Sequence, residues 1–135
     1  MKLVMMKGLP GSGKSTLAKK MVEEEGFVRV NKDDLRAMLH NGRYSKANEK
    51  MVLHLRDFII IENLRKGYDV VVDDTNFNEF HEKILREMAS KYSADFSIIF
   101  VDTPLKDCIR RDLLRSNPVG EKVIRGMFNQ YLLEK

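Results

Sequence analysis

The chain carries a glycine-rich segment of the kind that binds phosphate groups. Residues 8–16 read Gly-Leu-Pro-Gly-Ser-Gly-Lys-Ser-Thr and match G-x-x-x-x-G-K-[ST] between a predicted strand and a predicted helix. Glycines let the backbone curl so that several N–H groups face phosphate oxygens, and the helix N-terminus adds the positive end of its dipole. Lys14 is predicted to reach the β- and γ-phosphates, and Ser15 to offer its hydroxyl to Mg²⁺. The predicted nucleotide-binding residues are Gly11, Ser12, Gly13, Lys14, Ser15 and Thr16.

Two carboxylates and an arginine follow the second predicted strand. Residues 31–36 read Asn-Lys-Asp-Asp-Leu-Arg, which places Asp33 and Arg36 three residues apart and on one face of a helix. A carboxylate near a γ-phosphate can accept the proton of an attacking hydroxyl, and an arginine can hold an anionic group of the acceptor. Alternatively, Asp33 or Asp34 caps the helix and Arg36 is solvated.

An apolar strand that ends in two acids is the third candidate. Residues 70–76 read Val-Val-Val-Asp-Asp-Thr-Asn. This is the layout of a Walker B segment, in which a carboxylate after a buried strand supports Mg²⁺, often through water. Both acids can instead serve a turn or cap the next helix, with Asn78 or Glu79 sharing that work. The spacing does not choose between Asp73 and Asp74.

A basic helix is predicted near the end of the chain. Arg111 and Arg115 are four residues apart and point the same way, so a lid helix can bring both arginines over a triphosphate. The opposite face is predicted to be apolar, through Ile109, Leu113 and Leu114. The alternative is an ordinary solvated face on which Asp112 pairs with a neighbouring arginine.

The elements that position these residues alternate between short apolar runs and longer amphipathic ones, which predicts an α/β fold with a parallel sheet. The predicted strands are Lys2–Lys7, Phe27–Asn31, Asp69–Asp73 and Ala94–Asp102. The predicted helices are Lys14–Glu25, Asp33–His40, Ser45–Lys66, Asn78–Lys91, Pro104–Arg115 and Gly120–Glu134. On the long helix, Met51, Leu55, Phe58, Ile59 and Glu62 are predicted to share one face, apolar except at the last position. In such sheets, ligands bind beyond the carboxyl ends of the strands.

Length and composition set the class of protein. A chain of 135 residues fits a single domain, and its formal net charge of +4 is only mild support for a polyanionic partner. Cys108 has no partner cysteine in the sequence, which fits a reducing compartment. No signal peptide or membrane span is recognisable, so we expect a cytoplasmic protein without a membrane partner. The three histidines, His40, His54 and His81, have no metal-ligand spacing.

Taken together, these segments resemble the 5′-kinase domain of the bacteriophage polynucleotide kinase–phosphatase family. The matching pieces are Pro10–Thr16 as P-G-S-G-K-S-T, Asn31–Arg36 as N-K-D-D-L-R, Asp74–Asn78 as D-T-N-F-N, and the pair Arg111 and Arg115. The tail Pro118–Tyr131 is also similar. The phosphate loop alone is shared with many NTPases, whereas the combination is much narrower.

The resemblance implies a P-loop NTPase fold over residues 1–135, with a four-stranded parallel sheet, helices on both faces and a C-terminal helical lid. It implies transfer of the ATP γ-phosphate to the 5′-hydroxyl end of DNA or RNA, with Mg²⁺. Asp33 would be the general base, and Arg36 would bind the phosphate 3′ of the acceptor nucleotide. Lys14, Arg111 and Arg115 would act on the ATP phosphates. The D-T-N segment, Asp74, Thr75 and Asn76, would support the acceptor and metal side of the site.

Two other readings stay open at the level of sequence. Zeta-toxin-like and small-metabolite kinases share the phosphate loop, and a nucleotide-binding ATPase needs no hydroxyl acceptor. No guanine-reading motif is visible, which favours ATP. The phosphatase motif D-x-D-x-T of the resembling family is absent, so 5′ phosphorylation without 3′ dephosphorylation is expected, in the host cytoplasm if the chain is of phage origin. Neither the choice of DNA or RNA nor the oligomeric state follows from the sequence.

Overall fold

A four-stranded parallel sheet forms the centre of the protein in the computed structural model, which describes residues 1–133. The strands are β1 (Lys2–Lys7), β2 (Val28–Val30), β3 (Val70–Val72) and β4 (Asp95–Phe100), in the order β2-β3-β1-β4. In this register Val4 lies between Val71 of β3 and Ser97 of β4. The predicted parallel sheet is confirmed, and β2, β3 and β4 are shorter than predicted.

The two central strands are fully packed because both of their faces are covered. All three valines of β3 have no exposed surface, as expected for a β-branched run at the centre of a parallel sheet. Along β1, alternate residues point to opposite faces, so Leu3 and Met5 enter one core cluster while Val4 and Met6 enter another.

Six α-helices connect and cover the strands among residues 1–133. They are α1 (Lys14–Glu25), α2 (Lys32–His40), α3 (Lys46–Arg65), α4 (Glu79–Lys91), α5 (Leu105–Leu113) and α6 (Glu121–Met127), and a π-helical segment (Phe128–Leu132) continues α6. Ser45 caps α3 as predicted, since its hydroxyl accepts the Asn48 N–H at 3.0 Å. The last predicted helix, Gly120–Glu134, is divided into α6 and the π-helical segment. Its predicted end, Glu134, lies outside the described residues.

The helices lie on both faces of the sheet, as predicted. Ala18 and Met21 of α1 pack on the Val4 face. On the opposite face, α3 and α4 contribute the side chains that contact Leu3 and Met5; these are Val52, Ile60, Leu64, Leu85 and Ala89. None of the described helices is both long enough and apolar enough to cross a membrane.

The face predicted for α3 is only partly turned toward the core, where Leu55 and Ile59 pack. Met51 and Phe58 are exposed, whereas the buried residues recur every four positions as Val52, Arg56, Ile60 and Leu64. The helix is apolar on most of its circumference in its second half, so periodicity did not fix its rotation. The contacts with the sheet fix it instead, and they turn an arginine inward.

A third core cluster joins α5 and α6 to the loops at the carboxyl end of the sheet. It consists of Leu9, Phe77, Cys108, Ile109 and Ile124. The predicted apolar stripe of α5 is wrong beyond Ile109, because Leu113 and Leu114 are 63% and 83% exposed. The buried carboxylate of Asp112 accepts the backbone N–H groups of Val119 and Gly120 at 3.0 and 2.9 Å, which turns that side of α5 inward.

Candidate active site

The phosphate loop, residues 8–16, connects β1 to α1 and has the backbone conformation that its glycines allow. Gly11 and Gly13 have φ angles of +78° and +103°, in the region that disfavours other residues. A Cβ atom on Gly11 would also collide with the carbonyl oxygen of Cys108 in α5. Position 11 therefore requires glycine for two independent reasons. The close approach of Cys108 also shows that the loop packs directly against α5.

Lys14 is buried in the middle of this loop. Its ammonium group donates to the carbonyl oxygens of Gly8 and Leu9 at 2.9 and 2.8 Å. Burial lowers the pKa of Lys14, and the negative charges of Asp73 and Asp74 oppose that shift. The predicted phosphate-binding lysine is thus placed inside the loop, close to both acids that follow β3.

Ser15 is exposed at the start of α1 and is connected to Asp73 through an arginine of β2. Arg29 donates from Nε to Asp73 Oδ2 at 2.8 Å and from Nη2 to the Ser15 hydroxyl at 3.5 Å. Its Nη1 donates to Asp34 Oδ2 at 2.7 Å. Burial opposes the charge of Arg29, but its bonds to Asp34 and Asp73 outweigh that cost and raise its pKa. Ser15 and Asp73 therefore lie on the same side of the site.

Asp74 lies on the other side, where the backbone turns into α2. Its Oδ1 atom accepts the backbone N–H of Lys32 at 2.9 Å, and Asn31 donates to the carbonyl oxygen of Asp73. Burial raises the pKa of Asp74 to about 6, against the opposing charge of Lys32. These contacts fix the start of α2 against the carboxyl end of β3.

Three side-chain oxygens in the segment after β3 have no hydrogen-bond partner within residues 1–133. They are Asp73 Oδ1, Asp74 Oδ2 and Asn76 Oδ1, all buried. Carboxylates and hydroxyls are the ligands that Mg²⁺ prefers, and Mg²⁺ usually keeps several waters and substrate phosphates. The two acids and the Ser15 hydroxyl fit such an ion, although no group of three or more His, Cys, Asp or Glu residues with metal-binding geometry occurs in the described part of the chain.

Thr75 and Asn76 connect the loop after β3 to β1 and the phosphate loop. The Thr75 carbonyl accepts the Gly8 N–H at 3.2 Å, and Asn76 donates from its amide to the Met6 carbonyl at 2.7 Å. Asn76 has a φ angle of +52°, which asparagine tolerates better than most residues. The structure places both residues as links between the strands that hold the two halves of the site.

Asp33 and Arg36 form the predicted pair on the outer face of α2. Asp33 is 70% exposed, and its Oδ1 accepts from Arg36 Nη1. Arg36 also holds Glu49 of α3 in a two-pronged ion pair at 2.7 and 2.6 Å, which raises the pKa of Arg36 and lowers that of Glu49. The predicted alternative of a solvated Arg36 is wrong, because two carboxylates engage it.

The N-cap side chains of α2 and α4 are asparagines rather than the acids of either pair. Asn31 caps α2 by accepting the Asp34 N–H at 2.8 Å, and Asn78 caps α4 by accepting the Phe80 N–H at 2.9 Å. Asp33 therefore does not cap α2 and Asp74 does not cap α4, although Asp74 accepts the first backbone N–H of α2.

Arg111 lies beside the phosphate loop. Its Nη1 donates to the Ser12 carbonyl at 3.3 Å, and the hydroxyl of Thr103 donates to the same oxygen at 2.7 Å. Arg115 is half exposed and pairs with Asp112 at 3.5 Å. It is close enough to Lys14 for its charge to lower the pKa of that lysine, after the larger effect of burial. Arg111 thus lies at the phosphate loop, and Arg115 makes the acid pair that the sequence left open.

Four side chains make contacts that the sequence does not predict, namely Arg29, Glu49, Arg56 and Asp112, for which only the pair with an arginine was predicted. Arg56 is fully buried in α3, donates to Asp57 at 3.1 and 2.9 Å, and leaves Nη1 without a partner within residues 1–133. Its charge lowers the pKa of His81 after the larger effects of burial and Lys32. These four residues carry no local motif, because each is defined by partners far away in sequence or by helix rotation.

A phosphate loop, a buried acid pair and a carboxylate–arginine pair with an exposed carboxylate therefore lie at the carboxyl end of one parallel sheet. This combination defines a P-loop phosphotransferase. The family model described as an AAA domain matches residues 3–132. The chain belongs to this family and is a P-loop kinase domain.

Individual relatives agree with that assignment. The bifunctional polynucleotide phosphatase/kinase of Schizosaccharomyces pombe is 30% identical over 75% of this chain and 21% of its own length. The solved Pnkp1/Rnl/Hen1 RNA repair complex contains a chain that is 28% identical, with a TM-score of 0.78 over 96% of this chain and 43% of that one. The APS kinase CysC of Mycobacterium tuberculosis is 31% identical, with a TM-score of 0.64 over 82% of this chain and 68% of that one. The chain spans between 21% and 52% of the length of the curated relatives it matches.

Proposed function

We propose that this domain, residues 1–135, is a polynucleotide 5′-hydroxyl kinase that transfers the γ-phosphate of ATP to the 5′ end of DNA or RNA. The observation that carries the proposal is the position of Asp33 and Arg36. Exposed Asp33 pairs with the largely buried Arg36 on α2, whose first N–H is bonded to Asp74 at 2.9 Å. The similarity to polynucleotide kinases adds support from outside the site.

The chain's residues divide the work between donor and acceptor. Lys14 and the N–H groups of the phosphate loop bind and orient the β- and γ-phosphates. Arg111 and Arg115 neutralise charge that develops on the transferring phosphoryl group. Asp33 accepts the proton of the attacking hydroxyl, and Arg36 holds the next phosphate of the acceptor strand. The ion pair between Arg36 and Asp33 must then break, while Glu49 keeps the guanidinium group of Arg36 in position.

The unpartnered oxygens suggest how the acid pair is shared. Asp73 is linked to Ser15 through Arg29, so we assign Asp73 and Ser15 to the side that holds Mg²⁺. Asp74 bonds to the start of α2 and is assigned to the acceptor side. When bound, Mg²⁺ supplies charge that neutralises the β- and γ-phosphate oxygens.

A kinase for a small hydroxyl compound is the second candidate. Arg36 is already engaged by Asp33 and by Glu49, which leaves no guanidinium edge free for a strand phosphate unless the Asp33 contact opens. The similarity to a kinase whose name refers to APS rather than to a polynucleotide points the same way. Such an enzyme would show little salt dependence, whereas polynucleotide binding weakens as salt rises.

An acceptor panel tests the proposal. The protein is incubated with γ-labelled ATP, Mg²⁺ and, separately, a 5′-hydroxyl oligonucleotide, the same oligonucleotide with a 5′-phosphate, a nucleoside and water alone. The proposal expects label on the 5′-hydroxyl oligonucleotide above all others. Preferred labelling of the nucleoside would support the second candidate, and ATP hydrolysis indifferent to every acceptor would indicate an ATPase.

A further inference from the structure

The loop between α2 and α3 exposes an aromatic ring beside the proposed acceptor site. Tyr44 is 77% exposed, the largest value among the phenylalanine and tyrosine residues of positions 1–133. Covering such a ring is a large source of binding free energy, because an aromatic side chain buries roughly 150–250 Å². Single exposed apolar residues are common, so exposure alone assigns no role to Tyr44.

The position of the ring relative to the acceptor pair is the second observation. The Cζ atom of Arg36 lies 5.9 Å from the centre of the Tyr44 ring. The same guanidinium bonds to Asp33, the proposed base. An acceptor whose hydroxyl meets Asp33 and whose next phosphate meets Arg36 therefore lies against this ring.

Basic residues flank Tyr44 along the chain. Arg43, Lys46 and Lys50 are exposed, and none of them takes part in an ion pair between described residues. The nearby acid Glu49 is already held by Arg36. Unpaired basic side chains beside an exposed aromatic face are the composition that single-stranded nucleic acid sites use, since the charges follow the backbone and the ring stacks on a base.

We propose that Tyr44 is a stacking surface for a base at or near the 5′ end of the acceptor strand, with Arg43, Lys46 and Lys50 contacting its phosphates. This inference rests on the proposed function and adds to it a contact that a small acceptor without a base does not use. Because the ring also touches Arg36, a stacking role must be separated from a role in bracing that arginine.

The experiment compares Tyr44→Ala with Tyr68→Ala in the intact chain. Tyr68 is a matched control. It is 53% exposed and precedes β3, at the amino end of the strands and opposite the end where α2 begins. Kinetic constants are measured with a 5′-hydroxyl oligonucleotide and with versions that lack one base at the first, second or third position. Fluorescence anisotropy with a labelled 5′-hydroxyl oligonucleotide gives binding without turnover.

For Tyr44→Ala, KM for the intact oligonucleotide should rise roughly 5- to 100-fold, while KM for ATP changes little. The penalty should disappear on one of the abasic oligonucleotides, and Tyr44→Trp should bind as well as the natural chain. An equal rise in KM on every abasic oligonucleotide would show that the ring only braces Arg36. Kinetic constants and anisotropy equal to those of Tyr68→Ala would also overturn the inference. If the natural chain labels no oligonucleotide at all, the proposed function fails as a separate result.

Discussion

The phosphate loop and the start of α2 meet at the same sheet edge, but they are built from different parts of the chain. The loop relies on its own backbone: two glycines have positive φ angles, and the buried Lys14 donates to two carbonyl oxygens of the loop. The acceptor side relies on side chains that reach across elements, such as Arg36 between α2 and α3. The proposed donor site is therefore a local structure, whereas the proposed acceptor site is assembled by tertiary contacts.

This difference has a functional consequence. In the proposed function, the backbone of the phosphate loop binds the part of the substrate that all P-loop kinases share, namely the triphosphate. Asp33, Arg36 and the loop after α2 would contact the part that differs between acceptors. We therefore expect substitutions on the donor side to abolish all chemistry, and substitutions on the acceptor side to change transfer while nucleotide binding persists.

The largest effect is expected for Lys14→Met. Removing the buried ammonium group should lower phosphoryl transfer about 10³-fold or more, because an oriented charge on the transferring group is lost. Labelled-ATP transfer and calorimetric ATP binding measure the effect. Lys19→Met, which removes an exposed lysine of the same helix, is the control and should stay near the activity of the natural chain. Similar losses in both variants would contradict the assignment of Lys14.

A smaller but selective effect is expected for Asp33→Asn. Transfer should fall roughly 10²–10⁴-fold, the contribution of a general base, while ATP binding stays unchanged. The neighbouring Asp34→Asn removes an exposed carboxylate that pairs with Arg29, and it should lose less than about tenfold in the same comparison. A larger loss in Asp34→Asn than in Asp33→Asn would reverse the assignment.

For Glu49→Gln we expect a moderate effect confined to the acceptor. Glu49 holds Arg36 by two charge-assisted bonds at 2.7 and 2.6 Å, so weakening them should raise KM for the oligonucleotide about 3- to 10-fold and leave KM for ATP alone. Glu62→Gln on the same helix is the control, because its pair with Arg65 is exposed. A lower KM in Glu49→Gln would mean that Glu49 restrains Arg36 rather than positioning it.

The smallest effect is expected for His81→Gln in α4 and concerns how the free energy of unfolding depends on pH. Burial, with Lys32 and Arg56, lowers the pKa of His81 to about 4, so the folded state binds fewer protons than the unfolded state between about pH 4 and 6.5. Stability from a neutral His81 is present above pH 6.5 and is lost as the pH falls toward 4.

His81→Gln should therefore flatten the decline in the free energy of unfolding over that window, by on the order of 1 kcal/mol after allowance for partial exposure. Urea unfolding at several pH values measures it. The exposed His54→Gln is the control and should keep the decline of the natural chain. Identical pH profiles for the natural chain and His81→Gln would contradict the cause given for the shift.

Sequence patterns predicted the parts of this molecule that local physics determines. The spacing of glycines in residues 8–16, the valines of β3 and the cap at Ser45 are each fixed within a few residues of chain. The rotation of α3 was missed, since several apolar faces were available and only the sheet selects among them. No sequence pattern pointed to Arg56, an arginine whose burial is unusual for its type and follows from that rotation.

The missing parts of the site have the same origin. The bonds from Arg29 to Asp73 and Ser15 join positions that are distant in sequence, so no spacing reveals them. On α5, the exposed Leu113 and the buried Asp112 reverse the usual preference of their residue types, because two backbone N–H groups bind the carboxylate. The sequence offers no basis for assigning Mg²⁺ to Asp73 or Asp74. The proposed assignment depends on their different partners, Arg29 for Asp73 and the Lys32 N–H for Asp74.

The most direct test of the central claim is to locate the transferred phosphate. After reaction with γ-labelled ATP, a 5′-hydroxyl oligonucleotide of defined sequence is digested to 5′-mononucleotides, and the labelled nucleotide is identified. The account predicts that all label is on the 5′-terminal nucleotide and that Asp33→Asn yields almost none. Label at internal or 3′ positions, or none on the oligonucleotide while ATP is consumed, would contradict it.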